Sequence, residues 1–429
     1  RRYVRAWIAG ALAIVVLGAG AAGWALLGGR RVELRSSPRI AVAPFDFSAD
    51  REGQAYLGAG LRAEIVSVLS EFEWLTVFPI SRRVDLATTK PPGRWKIDYV
   101  LKANVQAVGD SVVVTPILLD ASTGAVRWSA RYSAPVKANE MLALERNVAS
   151  RVAADVGQPF GVVANIEQTR AAMDSFDGDE AYRCHLRVVL FWSNYRREDF
   201  RAARECAEKL ANLPTPGANV DAMRALLKLD GARLGYEQRR RSELLSEAAA
   251  LASEAYRRND KGALPRIARY STALCQGDVA LFRRVSQAIV RDYPNNPATL
   301  LDVGAKTALG ADDWNSGLEL VSRARDLSSH VPNWFEFADV IDALRSNIAP
   351  NAEGLHEAAL DSSHPLLLVV DAALQGRLQN EEARRAALNA LAGLGFDGPQ
   401  ALAELIERQC WSTNAKNALA RRLTADAGR

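Results

Sequence analysis

A chain of 429 residues has room for two or three domains, and its 54 Lys and Arg against 50 Asp and Glu leave a net charge of only +4. Much of that surplus flanks one apolar stretch near the start, and no basic stripe stands out, which argues against nucleic-acid binding by this chain. The four cysteines, Cys184, Cys206, Cys275 and Cys410, lack the C-x-x-C spacing of a zinc site, and disulfides stay open.

The first element is the run "AWIAGALAIVVLGAGAAGWALLGG", residues 6 to 29, which carries no charge. It contains a literal G-x-G-x-x-G at Gly18, Gly20 and Gly23. A dinucleotide-binding turn needs a strand before it, a helix after it and an acid about 20 residues on. Here a polar exit, "GRRVELRSSPR", follows instead. At about 1.5 Å per residue the run reaches roughly 36 Å, the length of a transmembrane helix. Trp7 and Trp24 stand near its ends, where interfacial rings are favoured. Gly18 with Ala22, and Ala19 with Gly23, are small pairs four apart, the spacing that lets two membrane helices approach closely. The run is longer than a signal-peptide core, so a retained anchor is expected. Arginines on both sides leave its orientation open by charge alone.

Residues 38 to 158 read as an α/β unit after a linker over 30 to 37. "RIAVAPFDF" and "WLTVFPI" are strands around a helix with Leu61, Ile65, Val68, Leu69 and Phe72 on one face. "DYVLKANVQAV" turns at Gly109-Asp110 into "SVVVTPILL". "DASTG" then turns the chain into "AVRWSARY", one strand with Val126, Trp128, Ala130 and Tyr132 alternating inward. A helix ends the unit at Gly157. These features resemble the TolB-like amino-terminal domain that precedes tetratricopeptide repeats in bacterial signalling proteins. The likeness rests on Pro44, Phe45, Tyr56, Gly60 and Leu61, on Asp98 to Leu101, and on Leu119 to Gly124 with Trp128. It transfers no catalytic residue. Where the family more often has an acid before Gly-Leu, this chain has Gly58-Ala59-Gly60.

After a linker over 159 to 177, residues 178 to 429 read as helices with short breaks. Arg291-Asp292 and Arg325-Asp326 lie 34 residues apart, the tetratricopeptide period, with Phe282 and Gly317 where that repeat has its mid-repeat alanine. The fold class is therefore one transmembrane helix, an α/β domain and a tetratricopeptide-like solenoid. In such a solenoid the first helix of each hairpin lines the concave face. That places Ala268, Thr272 and Cys275 of one unit, and Leu301, Ala305 and Ala308 of the next, in a groove for an apolar partner segment, unless the protein's own C-terminal helices fill it. Two helices joined near Asn194 to Arg197 are antiparallel neighbours, with Cys184 and Cys206 at equal height about the turn. These two are either a disulfide or two packed thiols.

No G-x-S-x-G, H-E-x-x-H or P-loop pattern occurs. The histidines, His185, His330, His356 and His364, lack metal-ligand spacing, and His185 reads as a packing residue. No catalytic residue, cofactor or metal is expected. The resemblance implies the sensory, protein-binding part of a single-span protein of the bacterial inner membrane, with its C-terminal domains in the periplasm. It further implies pairing of two copies and a cytoplasmic output domain upstream, winged-helix or adenylate cyclase. The alternative is a membrane-anchored envelope scaffold that carries no signal.

Overall fold

The computed structural model describes residues 37–48, 55–80, 97–108, 110–135, 141–172, 180–214, 216–328, 336–348 and 354–424. The expected span over residues 6 to 29, with Gly18, Ala19, Ala22 and Gly23, lies outside them. Among the described residues no helix is long and apolar enough to cross a membrane.

The amino-terminal unit is a mixed sheet. Its strands are β1 (Arg39–Val42), β2 (Asp46–Ser48), β3 (Thr76–Pro79), β4 (Tyr99–Val108), β5 (Ser111–Asp120), β6 (Val126–Ser129) and β7 (Tyr132–Pro135). The order is β3-β1-β4-β5-β6, with β2 paired to β4 and β7 to β5. β1 runs parallel to both β3 and β4, while β4 and β5 form an antiparallel hairpin. Alternation sorts the side chains. Ile40, Val42, Tyr99, Leu101 and Val105 pack toward the helices, whereas Ala41, Ala43, Val100 and Leu119 form a small cluster apart from that core. The helix face expected from the spacing, Leu61 to Phe72, is buried. Leu61 to Leu69 lie on α1 (Ala55–Leu69), which packs with α2 (Met141–Gly157), and Phe72 follows in the turn after it.

Two expectations change here. The strand expected over "AVRWSARY" is broken between Ser129 and Tyr132, so β6 and β7 pair with different stretches of β5. A register shift at Leu118/Leu119 accompanies the break, and Val126 lies exposed. The stretch expected as a linker over 159 to 177 contains α3 (Val162–Ala171), whose Val163 belongs to the core around the sheet.

Asp120 closes the β5–β6 turn. Its carboxylate accepts from the N–H of Ser122 and Thr123 and from the Ser122 hydroxyl. It also pairs with Arg127 at 2.9 Å and with Arg170 of α3 at 2.5 Å. Burial works against the charged form, but the hydrogen bonds from Ser122 and Arg127 outweigh it and hold the carboxyl well below its usual range.

The rest is helical. Four hairpins follow: α4 (Glu180–Asn194) with α5 (Arg197–Ala211), α6 (Ala218–Leu234) with α7 (Arg241–Arg258), α8 (Ala263–Cys275) with α9 (Val279–Asp292), and α10 (Pro297–Leu309) with α11 (Trp314–Leu327). From Ala263 to Pro297, α8 and α10 start 34 residues apart. The α10/α11 crossing is close because both helices carry glycine at the contact. A Cβ on Gly317 would lie 2.6 Å from the Gly304 carbonyl oxygen, and one on Gly304 would lie 2.7 Å from that of Gly317.

Beyond them, α12 (Phe337–Ser346), α13 (Leu355–Ser362), α15 (Glu381–Gly393) and α17 (Thr413–Thr424) pack against α14 (Pro365–Leu378), and α16 (Gly398–Glu407) packs on α17. From Pro365 to Gln375 every residue of α14 is buried, which marks a central helix. Its one buried acid, Asp371, is satisfied by His356 Nδ1 at 2.7 Å and Gln375 Nε2 at 2.9 Å.

Gly317→Ala gains helix propensity but must push backbone aside. It is expected to destabilise by about 1–3 kcal/mol in urea denaturation. Asp120 has a depressed folded value, so it favours the fold above about pH 4, and that contribution fades as pH falls through the folded value. Asp120→Asn should lose about 1–3 kcal/mol at pH 7 and flatten the acid limb of the stability curve.

Candidate functional site: a cleft between the sheet unit and the helical hairpins

The turn after α1, Glu71 to Trp74, fixes the two units together. The Glu73 carboxylate accepts from the Ala263 N–H at 3.1 Å, capping α8 from outside, and from the Tyr293 hydroxyl at 2.6 Å. A carboxylate there also meets the positive end of the helix dipole. Trp74 donates its Nε1–H to the Gly157 carbonyl at 2.8 Å. Deeper in, Asp155 of α2 accepts from Tyr132 at 2.5 Å and from Ser328, just past α11, at 2.6 Å. Gln158 donates to the same Ser328 oxygen at 2.7 Å. Burial and the facing Asp155 push the Tyr132 phenol up, so it donates throughout the ordinary pH range. On α3, the fully buried Glu167 accepts from Tyr99 of the sheet, from Tyr182 of α4 at 3.3 Å and from Arg170 at 3.1 Å.

Between these fastenings lies a cleft of about 470 Å³, within the range of small-molecule sites. One wall is Phe72 and Trp74, and the other is the first helices of the hairpins: Tyr182 and Trp192 of α4, Met223 of α6, Ile267 of α8. His185 of α4 also lines it, its ring centre 6.5 Å from that of Trp74. Burial lowers His185 to about 4, leaving a neutral imidazole at pH 7. The sequence reading of His185 as packing thus becomes a cleft-lining role.

The floor is polar. Asp230 accepts from Trp192 Nε1 at 3.1 Å and pairs with Arg233 at 3.0 Å. Burial pushes its carboxyl up, while Arg233 and Lys306 pull the other way. Asp302 pairs with Lys306 one helical turn on and accepts from the Tyr270 hydroxyl. Each cation thus has a carboxylate of its own. Such a surface can bind and orient a ligand. Among the described residues no group of three His, Cys, Asp or Glu could hold a metal ion.

The six groove positions expected from the repeat pattern fare differently. Ala268, Thr272, Leu301 and Ala308 are buried. Ala268 packs with Ala222, Ala225, Ala252 and Ala255 where α6, α7 and α8 meet, and Leu301 and Ala308 join the core shared with the C-terminal helices. Cys275 and Ala305 line a small chamber that His364, Leu366, Cys410 and Trp411 close from the C-terminal side. The residues of α8 and α10 that line the cleft are instead Leu264, Ile267 and Ser271, and Ala298, Asp302 and Lys306. The expected phase is off by about one residue, because alanine-rich faces look alike from every side. The residues that betray the cleft are acids at i,i+3 or i,i+4 from a base inside otherwise apolar helices: Asp230–Arg233 and Asp302–Lys306.

The structure places Cys184 and Cys206 in a disulfide across the α4/α5 hairpin, with Cα atoms 5.6 Å apart. The chain turns between Asn194 and Arg197, where the sequence puts the turn. A second disulfide joins Cys275 to Cys410, so Cys275 is a cross-link rather than a groove contact.

The fold is that of a small mixed α/β unit docked on helical hairpins. No family model matches the chain. Among curated proteins, "Putative adenylate cyclase 3" of Rhizobium meliloti (strain 1021) is 30% identical over 107 residues, which is 23% of this chain and 18% of that protein.

Loop lengths set the expected worth of the cross-links. Replacing Cys184 and Cys206 by Ala should cost about 3 kcal/mol, and replacing Cys275 and Cys410 about 5 kcal/mol, by the loop-entropy relation. Urea titrations with and without reductant measure both.

Proposed function

We propose that the chain is the ligand-receiving, non-catalytic part of a bacterial signalling protein. In this reading the sheet unit is TolB-like, the hairpins are tetratricopeptide-like, and residues 6 to 29 hold the chain in the inner membrane with the following domains in the periplasm. The observation that carries it is the cleft: aromatic walls, contributed by both units, over a charge-balanced floor. Three further facts support it. The similarity to a protein named as an adenylate cyclase is in keeping with a role beside an output domain. All four cysteines are paired among the described residues, as suits an oxidising compartment. The uncharged stretch is long enough to span a bilayer.

A ligand shifts such a system only by binding one arrangement more tightly than another. Because the cleft has walls from two units, an occupant that touches both strengthens or strains the bonds that pin them, and the α1 turn would pass that bias toward the span. Pairing of two copies through Gly18, Ala19, Ala22 and Gly23 is the proposed point of output.

Location is tested by fusing alkaline phosphatase after Arg429. Activity in intact cells is expected, and an inactive phosphatase fusion alongside an active β-galactosidase fusion at the same position overturns the placement.

A further inference from the structure

Behind the cleft lies a chamber of about 70 Å³ that shares Tyr195, Arg233, Ser271, Asp302 and Lys306 with it. Its far wall is Phe337, His364 and Trp411. Two polar side chains there are unsatisfied. Ser271 Oγ and His364 Nε2 have no hydrogen-bond partner among the described residues, although each residue is only 1% exposed. The tautomer of His364 follows from its other nitrogen. Nδ1 accepts from the N–H groups of Leu366 at 3.1 Å and Leu367 at 3.3 Å, capping α14. Nε2 therefore carries the hydrogen and can only donate. Burial, then the nearby Arg233, push His364 down to about 3, so the ring is uncharged at pH 7. The Ser271 hydroxyl supplies a second donor. Buried donors that lack an acceptor carry a desolvation penalty that an incoming acceptor relieves.

Charge selects the kind of acceptor. The two cations and two carboxylates at the floor already neutralise one another. An anionic head group would be left as the one uncompensated charge in a largely dry site.

The geometry points to a neutral small molecule as the ligand, with a carbonyl-type acceptor seated between Ser271 and His364 and an apolar or aromatic body lying against Trp74, Trp192 and Ile267. This assignment rests on the cleft being the receiving site and names the chemistry it receives. The body gains from aromatic contact area. The head gains from two buried donors, and a site that holds such donors ready discriminates strongly against molecules unable to satisfy them.

The test uses the full chain and two probes of equal shape, 4-phenylbutanamide and 4-phenylbutanoate, in isothermal titration calorimetry at pH 7.5. The amide is expected to bind at least about tenfold more tightly than the carboxylate. Ser271→Ala is expected to raise the melting temperature of the free protein, because it deletes an unsatisfied buried hydroxyl, and to weaken the amide about tenfold. Ala305→Met places extra bulk in the chamber while leaving both donor side chains in the sequence, and should abolish the preference for the amide. Equal affinities, a tighter carboxylate, or no heat from either probe overturns the assignment. So does a Ser271→Ala protein that melts lower and binds the amide unchanged. The phosphatase fusion reads location alone. An exported chain that cannot tell the probes apart sinks only the ligand, and a cytoplasmic chain that can tell them apart sinks only the placement.

Discussion

Buried polar bonds between the sheet unit and the helices are the constraint on which everything else depends. Asp155, Ser328 and Gln158 form one buried knot, Glu167 with two tyrosines a second, and Glu73 at the head of α8 adds a third fastening at the surface. Each is directional. An apolar interface of the same size could slide or swivel at little cost, whereas a buried acceptor that loses its donor is left unsatisfied. The cleft keeps its shape because the bodies on its two sides are pinned at several points.

Within the helices, small residues govern how closely layers approach. Ala222, Ala225, Ala252, Ala255 and Ala268 let three helices meet with little between them, and Gly304 against Gly317 does the same for α10 and α11. Close approach of this kind favours backbone contact over side-chain interlock. Large residues fill what remains: Phe191, Phe200 and Tyr270 are fully buried. The hairpins are therefore closely packed, and the aromatic-walled cleft lies at the junction of the two units.

The sequence was legible where periodicity had only one reading. The face from Leu61 to Phe72, the β4–β5 hairpin and the turn near Asn194 stand where pattern puts them. Legibility failed where faces were degenerate. Ala268, Thr272 and Ala308 satisfy an inward or an outward phase equally well, since small residues report burial without direction. The helix over Val162–Ala171 was hidden because its apolar residues are few and its place is held by Glu167 and Arg170, which bond to partners far away in the chain. The pairing of Cys275 with Cys410 spans 135 residues, a distance over which no local rule carries information.

That same cross-link reroutes mechanical load. The C-terminal helices are joined covalently to the end of α8, so a pull on the last residues of the chain enters the molecule there. Everything from α9 to α16 lies inside the closed loop and feels no tension along its backbone. At roughly 3.3–3.6 Å per residue, about 450 Å of potential extension is withheld. Only reduction would release it, so a tethered chain held at its two ends would respond to force as a much shorter polymer while oxidised than while reduced.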